Sequence, residues 1–162
     1  MPGPRAPKNP KSCHERALGL LAVRPRSRRE LERRLLAARF EVDEVQDVLT
    51  RLERVGLVDD EAFARQFAEQ RFGSRKEGTR AVMQGLRAAG IASGLAESVA
   101  QDAPGDDEER AADLARSRVS RLSGVPPEKA FARLSSLLMR RGYGPEIARS
   151  AARRALEIPF GE

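Results

Sequence analysis

Apolar residues recur one helical turn apart in three blocks of this chain, and each block is broken by a turn and resumed behind it. Ahead of the turns stand the pairs Leu31/Leu35, Val82/Leu86 and Leu134/Leu138. Behind them come Val45/Val48/Leu52, Leu95/Val99 and Ile147/Ala151/Ala155. The turns are Arg39-Phe40, Gly90-Ile91 and Gly142-Tyr143, and their apolar members lie 51 and 52 residues apart. Self-similarity at a nearly fixed period is the mark of a repeat architecture, in which each unit completes its core with help from its neighbours.

The first block predicts three short helices. Ser12 and Glu15 make a capping box for a helix that turns Ala17, Leu18 and Leu21 inward and stops before Pro25. Ser27 and Glu30 read as a second capping box, opening a helix with Leu31, Leu35 and Ala38 on one face. The third helix starts near Asp43, turns Val45, Val48, Leu49 and Leu52 inward, and ends at Gly56. In the second block Asp59 is placed to cap a helix whose dipole favours Asp60 and Glu61, with Phe63, Phe67 and Phe72 as its packing residues. A helix near Glu77 to Ala89 follows, and Ser93 caps another through about Ala100. A linker at 101–106 precedes helices predicted at 107–122, 127–141 and 145–157, where Pro127 and Pro145 suit first-turn positions and Gly142 a helix stop. No run alternates as a strand would. The expectation is all-α, with three tandem three-helix, helix-turn-helix-like repeats at 12–56, 57–102 and 103–157 between a Pro-rich basic arm at 1–11 and a tail at 158–162.

Composition narrows the picture. With 33% charged, 40% hydrophobic and 4% aromatic residues, small modules packed through Leu, Val, Ile and Ala are favoured over one thick core. A net charge of +6 suits a polyanionic partner. It is spread as +3 over residues 1–11, +2 over 12–56, −1 over 57–102 and +2 over 103–162, so it is no single basic tail. The lone Cys13 permits no internal disulfide and fits a reducing cytoplasm. The longest apolar stretch, 17–23, is too short for a membrane span, and the start lacks the apolar core of a signal peptide.

Candidate chemistry is sparse. The stretch from Gly73 to Arg80 faintly resembles a phosphate-cradling loop, but Thr79 stands where a lysine is needed and no strand leads in. Cys13 and His14 are the only residues of their kinds, and helix neighbours point about 100° apart, which makes neither a dyad nor a zinc set. Asp59 with Asp60 suggests a metal pair less readily than it suggests a helix start. The reading is non-enzymatic, without a catalytic residue, metal or cofactor.

The basic residues carry more. Seven arginines lie between Arg24 and Arg39, against Glu30 and Glu32. On a regular second helix Arg26, Arg29 and Arg33 fall on one side, opposite Leu31 and Leu35. Arg71, Arg75, Lys76 and Arg80 flank the start of the corresponding helix of the second block, Arg140 and Arg141 end its counterpart in the third, and Arg149, Arg153 and Arg154 lie just beyond. Such cations bind phosphates without reading sequence, although any one of them also suits a solvated helix face. Most Phe residues fall at core spacing and Tyr143 follows a helix-stopping glycine, which leaves no evident base-stacking platform. DNA binding, single- or double-stranded, is expected to be weak, salt-sensitive and sequence-blind.

The order of motifs resembles the RecX family, regulators of the RecA recombinase. Its most specific stretch is Gly56, Leu57, Val58, Asp59, Asp60, Glu61, Ala62, Phe63 and Ala64, followed by Arg71, then Gly78 to Val82, Leu86 and Gly90-Ile91. Upstream, Arg26 to Leu31 with Leu35 fits the family's first repeat, and the third repeat matches mainly in its Leu and Gly-Tyr pattern. The resemblance covers most of residues 12–157, with Ala103-Pro-Gly105 as a departure and no counterpart for residues 1–11. It implies an elongated curved solenoid that binds as a monomer along the RecA–DNA filament and suppresses ATP hydrolysis, strand exchange and co-protease stimulation. Two other readings stay open at this point: an autonomous helix-turn-helix DNA-binding regulator, and a helical scaffold for an unrelated protein.

Overall fold

A computed structural model describes residues 11–158; residues 1–10 of the expected 1–11 arm and 159–162 of the 158–162 tail lie outside the described residues. Among the described residues there are nine α-helices and one short 3₁₀ turn, with no strand. They are α1 (Cys13–Val23), α2 (Arg28–Ala37), α3 (Val42–Arg54), α4 (Asp60–Gly73), α5 (Thr79–Ala88), α6 (Ser93–Asp102), α7 (Asp107–Arg118), α8 (Pro127–Arg140) and α9 (Pro145–Ala155). The chain clusters into two compact units, one running through Phe63 and including Ala89–Ile91, the other formed by Ala64–Ala88 and the chain from Ala92 onward.

In the first unit, Ser12 and Glu15 make the full capping box of α1, each side chain meeting the other's backbone N–H at 3.1 Å. The core is Cys13, Ala17, Leu31, Leu35, Val45, Val48, Leu49, Leu52 and Val58, with Leu20, Leu21 and Phe40 packed against it. Leu18, expected inward, is 37% exposed; α1 is apolar on more than one side, and Leu20 and Leu21 take the inward places. Ser27 caps α2 by accepting from Glu30 N–H at 3.1 Å, but the reciprocal half of the expected box is missing. The Glu30 carboxylate is held by Arg24 and Arg26 instead, and the Ser27 hydroxyl donates to the carbonyl of Ala89.

In the second unit, α7, α8 and α9 enclose Ala111, Leu114, Ala115, Leu134, Leu138, Tyr143, Ala148, Ala151 and Ala152. Phe72 is buried, whereas Phe63 in the first unit and Phe67 in the second are half-buried. Ser93 is the first residue of α6, behind an Ala92 cap without a side-chain bond, and the predicted 107–122 helix tightens to 3₁₀ from Val119. Pro127 and Pro145 open α8 and α9 as expected.

The three turns share one backbone solution. Arg39, Gly90 and Gly142 all adopt left-handed dihedrals, with φ of 68°, 82° and 96°. At Gly90 and Gly142 the lack of a side chain is also a packing requirement. A Cβ on Gly90 would lie 2.5–2.9 Å from the Arg29 stem, and one on Gly142 would lie 2.5 Å from Ala81 Cβ and 2.7 Å from its backbone nitrogen.

Candidate binding surface

A second regularity fixes the starts of the middle helices. The first four N–H groups of a helix have no partner within it. Asp60 accepts from Arg28 N–H, at the start of α2, at 2.9 Å. Asp107 does the same for α5, taking Thr79 N–H at 3.0 Å and the Thr79 hydroxyl at 3.0 Å. The third middle helix, α8, begins with Pro126 as cap and Pro127 as first residue, which have no N–H to satisfy. Asp59 meanwhile caps α4 through Ala62 N–H at 3.1 Å. The carboxylates of Asp59 and Asp60 thus serve backbone donors, and Gly56, at φ 76°, turns the chain into this segment. Leu57 is exposed, Val58 and Ala64 are buried, and Phe63 is half-buried.

Gly78 belongs to the same scheme. Its N–H donates to the Arg141 carbonyl at 2.7 Å, and a Cβ there would lie 2.5 Å from Gly142 O and 2.9 Å from the Tyr143 ring. The Tyr143 side chain is buried at 1% exposure and its hydroxyl donates to the Lys76 carbonyl. Burial, reinforced by the charge of Asp107, raises its pKa well above the ordinary phenol value. Burial likewise raises the Cys13 thiol, with Glu44 adding to it, in a core position at 1% exposure.

Against this frame the candidate cations divide. Arg26 is 7% exposed, its Nε donating to Leu20 O at 3.1 Å and its guanidinium pairing Glu30 at 2.7 Å. It precedes α2, so helical phase does not place it beside Arg29 and Arg33, and it ties the end of α1 to the start of α2. Arg71 is half-buried, 3.0 Å from Glu77 and 4.6 Å from the Phe67 ring. Arg141 donates to Arg75 O at 2.7 Å, Lys76 lies 3.6 Å from Asp113, and Arg153 lies 5.5 Å from the Phe131 ring. Arg75 is exposed and only 4.0 Å from Glu77. The exposed guanidiniums of Arg29 and Arg33 in the first unit, and of Arg80, Arg140 and Arg149 in the second, have no ion-pair partner among the described residues.

Two groups escaped the sequence reading. Arg110 is buried at 9% exposure, bonded to Pro104 O at 3.0 Å and Asp107 at 3.1 Å, and stacked 4.2 Å over Phe72. Arg16 and Arg34 join Arg33 around one cavity of the first unit. Nothing in the sequence pairs Arg16 with residues on another helix.

Three-helix units with glycine-mediated backbone contacts and unpaired surface arginines define a helical-repeat protein with basic faces. Family models for the first, second and third three-helix domains of RecX match residues 13–52, 59–99 and 106–152. The chain belongs to the RecX family. It is 35% identical over 141 residues to the regulatory protein RecX of Streptomyces coelicolor, covering 86% of this chain and 75% of that one. It is 37% identical over 150 residues to the regulatory protein RecX of Mycolicibacterium smegmatis, covering 87% and 80%. In fold it is similar to the crystal structure of RecX from Lactobacillus salivarius, with a TM-score of 0.74, 19% identity, and coverage of 90% of this chain and 96% of that one. No helix among the described residues is long and apolar enough to cross a membrane.

Proposed function

We propose that this protein binds the RecA–DNA filament in the cytoplasm and restrains it, inhibiting ATP hydrolysis, strand exchange and co-protease stimulation without chemistry of its own. The observation that carries the reading is that unpaired arginines recur along a RecX-family chain: Arg29 and Arg33, then Arg80, then Arg140 and Arg149. A periodic filament repeats its surface, so a monomer built of three repeats (12–56, 57–102 and 103–157) can make several modest contacts at once. Linked contacts give avidity well above any single one. Exposed guanidiniums without fixed partners suit phosphate or carboxylate on such a surface and predict a steep salt dependence.

The test is capture. RecA filaments assembled on bead-bound single-stranded DNA with a non-hydrolysed ATP analogue are expected to retain the protein at a salt concentration where naked DNA of the same length does not. Equal retention by naked DNA and filament would overturn the reading. It would favour an autonomous DNA-binding regulator, all the more if selection from random duplexes recovered one sequence.

A further inference from the structure

A cavity of about 400 Å³ in the first unit is lined by Arg16 of α1 and by Arg33, Arg34, Ala37 and Ala38 at the end of α2. That volume lies at the small end of the usual range for ligand pockets, about 300–1,000 Å³. We propose that this three-arginine cavity is a phosphodiester-binding site, the place where the first repeat takes hold of a nucleic-acid backbone.

The local sequence explains the cavity. Ala37 and Ala38 follow Arg33 and Arg34 by one helical turn, so small side chains share a face with two long ones and leave room beside α1. All three arginines are exposed, no carboxylate lines the cavity, and none of them has an ion-pair partner among the described residues. Glu15, the acid next to Arg16, is held in the capping box with Ser12.

Several other basic groups are matched by carboxylates of their own. In the same unit Arg24 and Arg26 pair with Glu30, and Arg28 pairs with Glu53 at 2.7 Å. A larger cavity of about 630 Å³ in the second unit sets the cations Arg65, Lys76 and Arg110 against the four carboxylates of Glu69, Asp102, Glu109 and Asp113.

A chain of phosphates suits the site better than a lone carboxylate. Each guanidinium presents five N–H donors in a fixed fork. Three of them offer more donors and charge than one carboxylate takes up, while a nucleic-acid strand brings successive anionic groups. Arg39, one residue past Ala38, takes a left-handed conformation where the other two repeats carry glycine.

The inference deepens the filament reading and rests on it for the nature of the partner, but its test uses free DNA without recombinase, so the two can fail separately. Fluorescence anisotropy with a labelled dT oligonucleotide over a salt series compares the wild type with Arg16→Ala/Arg34→Ala. The control is Arg51→Ala/Arg54→Ala, which removes the same charge from the exposed side of α3. Circular dichroism checks that each variant is folded. The cavity variant is expected to bind several-fold more weakly, with a salt slope shallower by about 1.4, the value for two lost phosphate contacts on a single strand. Arg16→Lys/Arg34→Lys should keep the slope but bind less tightly, because lysine lacks the bidentate fork. Equal loss in the cavity and control variants, or no loss in the cavity variant, would overturn the site. So would displacement of the DNA by poly-glutamate as readily as by unlabelled oligo-dT, which would assign the cavity to an acidic protein surface.

Discussion

Replacing Gly78 with alanine tests the packing between the start of α5 and the turn that joins α8 to α9. The Gly78 φ lies outside the left-handed range, so an ordinary L-residue meets no backbone strain. The obstacle is space. Its Cβ would stand 2.5 Å from Gly142 O, 2.6 Å from Gly142 C and 2.9 Å from a Tyr143 ring carbon, and two of these three atoms are backbone. Relief requires the two segments to part, which stretches the 2.7 Å bond from Gly78 N–H to Arg141 O. Overpacking of this kind costs about 1–3 kcal/mol, and weakening a buried hydrogen bond adds about 1–3 kcal/mol. The smaller unfolded-state entropy of alanine returns about 0.4–1 kcal/mol, so a net loss of about 1–5 kcal/mol is expected. Gly56→Ala is the control: its φ is 76°, but its Cβ would meet nothing within 4 Å, leaving only left-handed strain of about 1–2 kcal/mol. The chain has one tyrosine and no tryptophan, so tyrosine fluorescence during urea unfolding reports on Tyr143 at this contact. A Gly78→Ala protein within about 0.5 kcal/mol of wild type, or one more stable than Gly56→Ala, would refute the reasoning.

Other substitutions probe the same frame. Arg39→Gly should stabilise the first unit by about 0.5–1 kcal/mol, the left-handed strain relieved less the larger unfolded-state entropy of glycine, read as a higher urea midpoint; an unchanged or lower midpoint would contradict this. Asp107→Ala should destabilise by about 3 kcal/mol or more, because it uncaps α5 and strips the buried Arg110 of its carboxylate, and Asp107→Asn should lose less. Tyr143 gives a pH signature. Its folded pKa is raised, so its contribution is complete below the unfolded value near 10 and is lost as pH rises above it, by at most about 1.4 kcal/mol per pH unit. Tyr143→Phe should lose that component of the alkaline decline, and an identical decline in the two proteins would contradict the assignment.

What could be read from the sequence was what helical period and turn chemistry determine. The face formed by Val45, Val48, Leu49 and Leu52 repeats cleanly, and the core holds all four. The spacing of Arg39, Gly90 and Gly142 marked three equivalent turns, which share left-handed dihedrals despite the arginine. Where apolar residues crowd one helix the period loses its meaning, which is why Leu18 was placed inward and Leu20 was not. Arg26 was misplaced because a residue ahead of the cap does not follow the helix it precedes. The contacts that organise the basic faces are long in sequence. Arg28 meets Asp60 over 32 residues, Thr79 meets Asp107 over 28, and Gly78 meets the turn at Arg141 and Gly142. No local pattern announces these partners, and the gathering of Arg16 with Arg33 and Arg34 likewise depends on how α1 and α2 pack.

The central claim is restraint of the recombinase filament, and RecA ATP hydrolysis on single-stranded DNA measures it most directly. With RecA from the same source, rising amounts of this protein should inhibit hydrolysis at well under one molecule per RecA, and less strongly at higher salt. Hydrolysis that stays unchanged up to equimolar protein, with the protein shown by circular dichroism to be helical and folded, would contradict the account.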